Sequence, residues 1–223
     1  MKEQIRKKIS PEALLMLIFV VVLNVAAYYG ARAIAADWQH YDVALPLDAK
    51  IPLIPWTVII YFGCYIFWGV NYIVCAAGEG FARSRLFCAD ALAKILCFAI
   101  FLVFPSTAAR PEVDTSGFWG YWMGYLYEID TPDNLFPSIH CMVSWICWIG
   151  VRKRKDIPVV YRWLSLLMAL AVCVATLTTK QHVIVDVIGG VAVAELCYWI
   201  AGFAKVTAVY DSLLAKILKL FRK

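Results

Sequence analysis

Residues 183–204 read VIVDVIGGVAVAELCYWIAGFA, an apolar run of 22 residues interrupted by only two ionisable groups, Asp186 and Glu195. About 20 apolar residues carry a helix across the hydrocarbon of a bilayer, and lipid offers no partner for unpaired backbone groups. The run is therefore read as a transmembrane helix. Working outward, five further apolar runs cover residues 14–36, 55–77, 86–104, 139–151 and 159–179. The chain of 223 residues is 63% hydrophobic and 17% charged, with a mean hydropathy of +0.72, which excludes an ordinary soluble domain. The expected fold is all-α: one six-span membrane domain over residues 1–223, with no separate soluble unit.

The basic residues give this layout a direction. With the N-terminus in the cytoplasm, 16 of the 21 Lys and Arg fall on cytoplasmic segments and four, Arg32, Lys50, Arg110 and Lys180, on outer ones. Both termini are thus expected to be cytoplasmic. The net charge of +5 reflects that topology and implies no nucleic-acid partner. The first apolar run, followed by Ala33-Ile34-Ala35, imitates a signal peptide but exceeds the usual apolar length of about 7–15 residues, so it is read as an uncleaved span. The eight cysteines show neither a disulfide framework nor a metal spacing and are read as small apolar fillers. Residues 205–223 form a tail whose alternating apolar and basic positions suit an amphipathic helix on the anionic cytoplasmic surface. Lys94 and Glu195 lie inside spans, where charges are costly, and are expected to pair with one another.

Three short matches fall at the same, outer end of three spans: Arg110-Pro111, Pro137-Ser138-Ile139-His140, and His182 with Asp186 four residues on. On a helix, residues four apart share a face, so the carboxylate can fix one ring nitrogen and leave the other as base or nucleophile. Ser138 is placed as the cap of the fourth helix, whose free N–H groups suit an anion, with His140 in the first turn. Arg110 offers a planar fork for phosphate oxygens. Each match alone has a bland reading: a polar contact, a helix cap, a solvated arginine. Their agreement on one membrane face is what points to phosphate chemistry. The loop 106–137 between the third and fourth runs is rich in Trp and Tyr, as an interfacial belt or a lid over a lipid would be.

These stretches resemble the phosphatidic acid phosphatase type 2 superfamily, and 136–140 and 180–186 look most like its inositol phosphorylceramide and sphingomyelin synthase branch. The resemblance implies a membrane enzyme in which His182 attacks phosphorus to form a phosphohistidine, Asp186 orients it and His140 protonates the departing oxygen. Arg110, Ser138 and nearby N–H groups would hold the phosphate, with no metal or other cofactor. The substrate would be a lipid phosphate or phospholipid, with an alcohol or water as acceptor. Two of the family's cations are missing, since Val103 and Thr176 stand where a lysine and an arginine are expected. Thr176 therefore joins the substrate-binding candidates, and Lys180, just before His182, is a possible replacement cation. A site with fewer cations suits a singly charged phosphodiester better than a nearly doubly charged monoester, which favours headgroup transfer. The rivals are a phosphatase for phosphatidate, phosphatidylglycerophosphate or polyprenyl diphosphate, and a transporter; charges clustered at one face argue against transport.

Overall fold

A computed structural model describes residues 10–221 of the chain. Eight helices carry it: α1 (Pro11–Ala35), α2 (Val58–Ala76), α3 (Gly80–Val103), α4 (Gly117–Ile129), α5 (Ile139–Arg152), α6 (Val159–Thr178), α7 (Ile184–Ile200) and α8 (Ala204–Phe221). α1 passes through one π-helical turn at Ala26–Gly30. The only strands among the described residues are Tyr41–Asp42 (β1) and Ser106–Thr107 (β2), which pair in parallel.

Among the described residues four helical segments are long and apolar enough to cross a membrane: Pro11–Ala35, Pro55–Ala76, Gly80–Val103 and Val159–Thr178. α7 and α8 pass the same test together but are bent by 90° to each other, and α5 is apolar but shorter. This is an all-α, multi-pass architecture. α5 is 14 residues long and ends at Arg152. It sits at the centre of the bundle, packed against α2, α3, α6 and α7, with Met142, Val143, Ile146, Cys147 and Val151 buried. A helix enclosed by protein on most sides has its apolar surface covered by neighbours rather than by lipid. All eight cysteines are buried and free.

The expected pairing of Lys94 with Glu195 does not form. Lys94 Nζ bonds to Asp90 Oδ2 at 2.8 Å and to the Val20 carbonyl at 2.9 Å, and Tyr72 donates to the other Asp90 oxygen at 2.5 Å. The partner lay one turn back on the same helix, within the i, i+4 reach of α3. Glu195 instead takes Arg152 and the indole N–H of Trp145, the latter at 2.9 Å. The tail helix α8 packs on α1 and α3 through Leu214 and Thr207, leaving Lys205, Lys216 and Lys219 exposed.

The aromatic loop holds a helix of its own. α4 packs Met123 and Leu126 against Val58 and Tyr61 at the start of α2, and turns Phe118, Tyr121, Trp122 and Tyr125 outward. At its C-terminal end the chain reaches Asp130 and then returns to α5. The return is guided by β2: Ser106 Oγ accepts the Phe136 N–H at 2.7 Å, immediately ahead of Pro137-Ser138.

Candidate active site

Ser138 caps α5 as its sequence suggests, its hydroxyl accepting the Cys141 N–H at 3.3 Å. His140 therefore stands in the first turn of the central helix. The second histidine is set by the end of α6. Lys180 adopts the left-handed conformation (φ 57°), and the N–H groups of Gln181 and His182 both reach back to the Thr176 carbonyl at 3.0 Å. That double closure is how an α-helix commonly satisfies its last carbonyls.

His182 consequently lies before α7 rather than on it, which corrects the expectation of a shared helical face. Asp186 is the third residue of α7 and bends back, so that one of its oxygens receives the Val183 N–H at 2.9 Å and stands 3.2 Å from His182 Nδ1. The pair forms through a cap rather than through helical periodicity. Asp186 is fully buried and His182 nearly so. With Nδ1 committed, Nε2 is the nitrogen left for chemistry.

The starts of α5 and α7 are pinned together. The Ser138 N–H donates to the Asp186 carbonyl at 3.0 Å. Gly190 makes that approach possible, because a Cβ there would fall 2.5 Å from the Ser138 carbonyl oxygen, and one on Gly189 would fall 2.4 Å from the Phe136 ring. Glycine is used here for close approach of two backbones. The consequence is that the His140 and His182 rings lie 5.8 Å apart, centroid to centroid.

Both histidines line one cavity of about 270 Å³, walled by α1, α2, the end of α4 and the 130–135 segment. His140 Nδ1 is 3.2 Å from the Tyr61 hydroxyl and Nε2 is 3.3 Å from that of Tyr65. Tyr61 gives its only proton to Asp130, so its oxygen must accept from His140, which places the His140 proton on Nδ1. Tyr28 donates to the other Asp130 oxygen at 2.5 Å. Burial opposes ionisation of Asp130, but His140, the hydroxyls of Tyr28 and Tyr61, and His182 outweigh it and hold the carboxyl below its usual range.

The remaining expected residues divide. Arg110 reaches the site indirectly: its two terminal nitrogens donate to the Asp130 carbonyl and to Gln181 Oε1, and its guanidinium lies 5.0 Å from the Tyr127 ring centre. Gln181 lines the cavity beside His182, and its Nε2, like Arg110 Nε, is buried without an acceptor among the described residues. Lys180 turns away, donating to the carbonyls of Asp48 and Ile51. Thr176 is buried with its hydroxyl on the Cys173 carbonyl at 2.8 Å, and it serves the site through its own carbonyl. Ser138 shapes the helix start from behind the cavity wall. Sequence reasoning passed over Asp130, Tyr61, Tyr65 and Gln181. Tyr61 and Tyr65 carried a faint signal, two phenols one helical turn apart near the start of an apolar run; Asp130 had none among its acidic neighbours.

The model of the PAP2 superfamily matches residues 32–200, well over half of the chain. The chain belongs to the PAP2 superfamily. A comparison with curated proteins gave no match. Membership identifies a phosphatase-type lipid enzyme embedded in a membrane, and Arg110, His140, His182 and Asp186 all fall within the matched segment.

Proposed function

We propose that this PAP2 superfamily member transfers the phospho-headgroup of a lipid phosphodiester through a phosphohistidine at His182. The observation that carries the reading is the 5.8 Å separation of two imidazoles across one cavity, with Asp186 on the far nitrogen of His182. In the first step His182 Nε2 bonds to phosphorus, the ester bond to the lipid alcohol breaks, and protonated His140 gives its Nε2 proton to the departing oxygen. In the second, an acceptor hydroxyl gives its proton to His140 and bonds to phosphorus as the N–P bond breaks. The acceptor is an alcohol in a synthase and water in a hydrolase; the first step is common to both.

Asp186 keeps the proton on His182 Nδ1 and stabilises the positive ring. Gln181 Nε2, a buried donor without an acceptor, suits a phosphate oxygen and the charge that grows on it, with Arg110 holding the other end of the amide through Gln181 Oε1. The preference for a diester is supported by the cavity wall, to which no Lys or Arg contributes, and by Lys180 being engaged elsewhere. The resemblance of 136–140 and 180–186 to the inositol phosphorylceramide and sphingomyelin synthase branch favours the same chemistry.

In this reading α1, α2, α3, α5, α6 and α7 form six passes, both termini are cytoplasmic, and the histidines sit on the extracytoplasmic side. The basic residues at the opposite helix ends, Arg83, Arg85, Arg152, Lys153 and Arg154, support that orientation. The test is to incubate the purified protein with phosphorus-labelled lipid diesters and monoesters and isolate an acid-labile adduct. Adduct formation from a diester that is lost in His182→Ala is the expected result. A clear preference for monoesters would make the protein a lipid phosphatase, and an adduct that survives His182→Ala would end the assignment of the nucleophile.

A further inference from the structure

Among the residues lining the histidine cavity, Gln181 carries a buried donor without an acceptor, Nε2, and the Arg110 guanidinium that bonds to Gln181 Oε1 carries another, Nε. Three other lining residues, Asn24, Asp133 and Asn134, each carry a buried side-chain oxygen without a donor among the described residues. The amide of Asn134 is oriented by its Nδ2 contact with the Tyr28 carbonyl at 3.5 Å, and that of Gln181 by Arg110, so these oxygens and nitrogens are not interchangeable. Leaving a buried acceptor unpaired is costly. Three around one cavity call for a ligand that brings N–H or O–H groups.

The same cavity is lined by aromatic rings: Tyr28, Tyr29, Phe62, Tyr65 and Trp68. Such rings favour a cation over their faces. Asp130 adds a carboxylate that is held by two phenols and makes no ion pair with Lys or Arg among the described residues. The charges also constrain the ligand. No Lys or Arg lines the cavity, and Arg32 is already paired with Asp133 at 3.0 Å. Taking net charge into a buried site is expensive, so a headgroup of zero net charge is favoured over one that brings the phosphate charge alone.

The geometry points to a zwitterionic substrate, a lipid phosphodiester whose headgroup ends in a primary ammonium. This rests on His140 and His182 being the catalytic pair. The phosphate lies against Gln181 and the two imidazoles, and the ammonium lies among the aromatic rings with its three N–H groups on Asn24, Asp133 and Asn134. A quaternary ammonium satisfies the rings but brings no donors. A glycerol or inositol headgroup brings donors but leaves the phosphate charge unbalanced. When His182 takes the headgroup, the ammonium travels with the phosphorus and the diacylglycerol leaves.

The experiment uses the full chain in maltoside micelles with four phosphodiester lipids of identical acyl chains, bearing ethanolamine, choline, glycerol or inositol headgroups. Release of diacylglycerol is measured as kcat/KM. The ethanolamine lipid is expected to lead each of the others by about tenfold or more, and Asp133→Asn and Asn24→Ala should each lower its kcat/KM several-fold and narrow that lead. Equal or better use of the choline, glycerol or inositol lipid would overturn the inference while leaving the histidine chemistry standing. If none of the four yields an adduct at His182, the catalytic reading fails. Calorimetric binding of glycerophosphoethanolamine against glycerophosphoglycerol then decides the headgroup by itself: tighter binding of the amine upholds the inference, and equal or weaker binding overturns it.

Discussion

The Ser138 N–H donates to the Asp186 carbonyl across 3.0 Å, so the helix that carries His140 and the helix that follows His182 are joined at their first turns. The joint depends on Gly190, whose missing Cβ would otherwise stand 2.5 Å from the Ser138 carbonyl. Gly190→Ala must push the two backbones apart and widen the histidine pair. A displacement on the order of 1 Å is expected to cost roughly a hundredfold in the rate of adduct formation. Rapid-quench kinetics read that rate, and circular dichroism checks that the fold survives. Gly189→Ala meets only the edge of the Phe136 ring, which can turn, and should cost less.

Asp186→Asn keeps an oxygen to accept the Val183 N–H and so keeps the cap of α7, but removes the negative charge beside His182 Nδ1. Turnover should fall on the order of a thousandfold with little loss of thermal stability, as expected when an imidazole loses the carboxylate that sets its tautomer. A drop of less than about tenfold would show that His182 is oriented by something else.

Asp130 gives a pH signature. Its carboxyl is held below the usual range by His140, the two phenols and His182, against the opposing effect of burial. A carboxyl depressed in the folded state contributes stability that is fully present above its unfolded pKa of about 4 and is lost as pH falls through the folded value. Melting temperatures of the native protein should therefore decline on acidification below about pH 4 more steeply than those of Asp130→Asn. Parallel acid limbs would mean that Asp130 is not held ionised by its neighbours.

The Lys94–Asp90 and Arg152–Glu195 ion pairs should respond differently to removal of one partner. Lys94→Met leaves Asp90, 1% exposed, as a buried charge without its cation and should cost about 3–5 kcal/mol. Adding Asp90→Asn should recover much of it. Glu195 is 41% exposed in its pair with Arg152, and Glu195→Gln should cost about 1 kcal/mol or less. Equilibrium unfolding in mixed micelles measures both; equal losses would contradict the difference in burial.

Lys180→Ala separates two roles for that lysine. With Nζ on the Asp48 and Ile51 carbonyls, its loss should lower stability by about 1–3 kcal/mol through unpaired carbonyls while leaving KM for the lipid within about twofold. A tenfold rise in KM would instead assign the ammonium to the phosphate.

The sequence by itself determined that helices dominate, where the apolar runs lie, that Ser138 caps a helix, and that His140, His182 and Asp186 belong together. Those conclusions follow from local physics: apolar length against bilayer thickness, capping chemistry, and the small number of residue types that handle phosphate. Tertiary structure decided the rest. Asp130 became part of the site only when the end of α4 met Tyr61 on α2. Lys94 turned to Asp90 rather than Glu195 because rotation about each helix axis is set by packing, which a single run of apolar residues leaves open. His182 left its helix because the left-handed residue at Lys180 closed α6 on the Thr176 carbonyl, and the distance between the two imidazoles was set by the close approach of two helix starts that Gly190 allows. Which polar atoms go unpaired, and so what a ligand must bring, is a property of the assembled cavity alone.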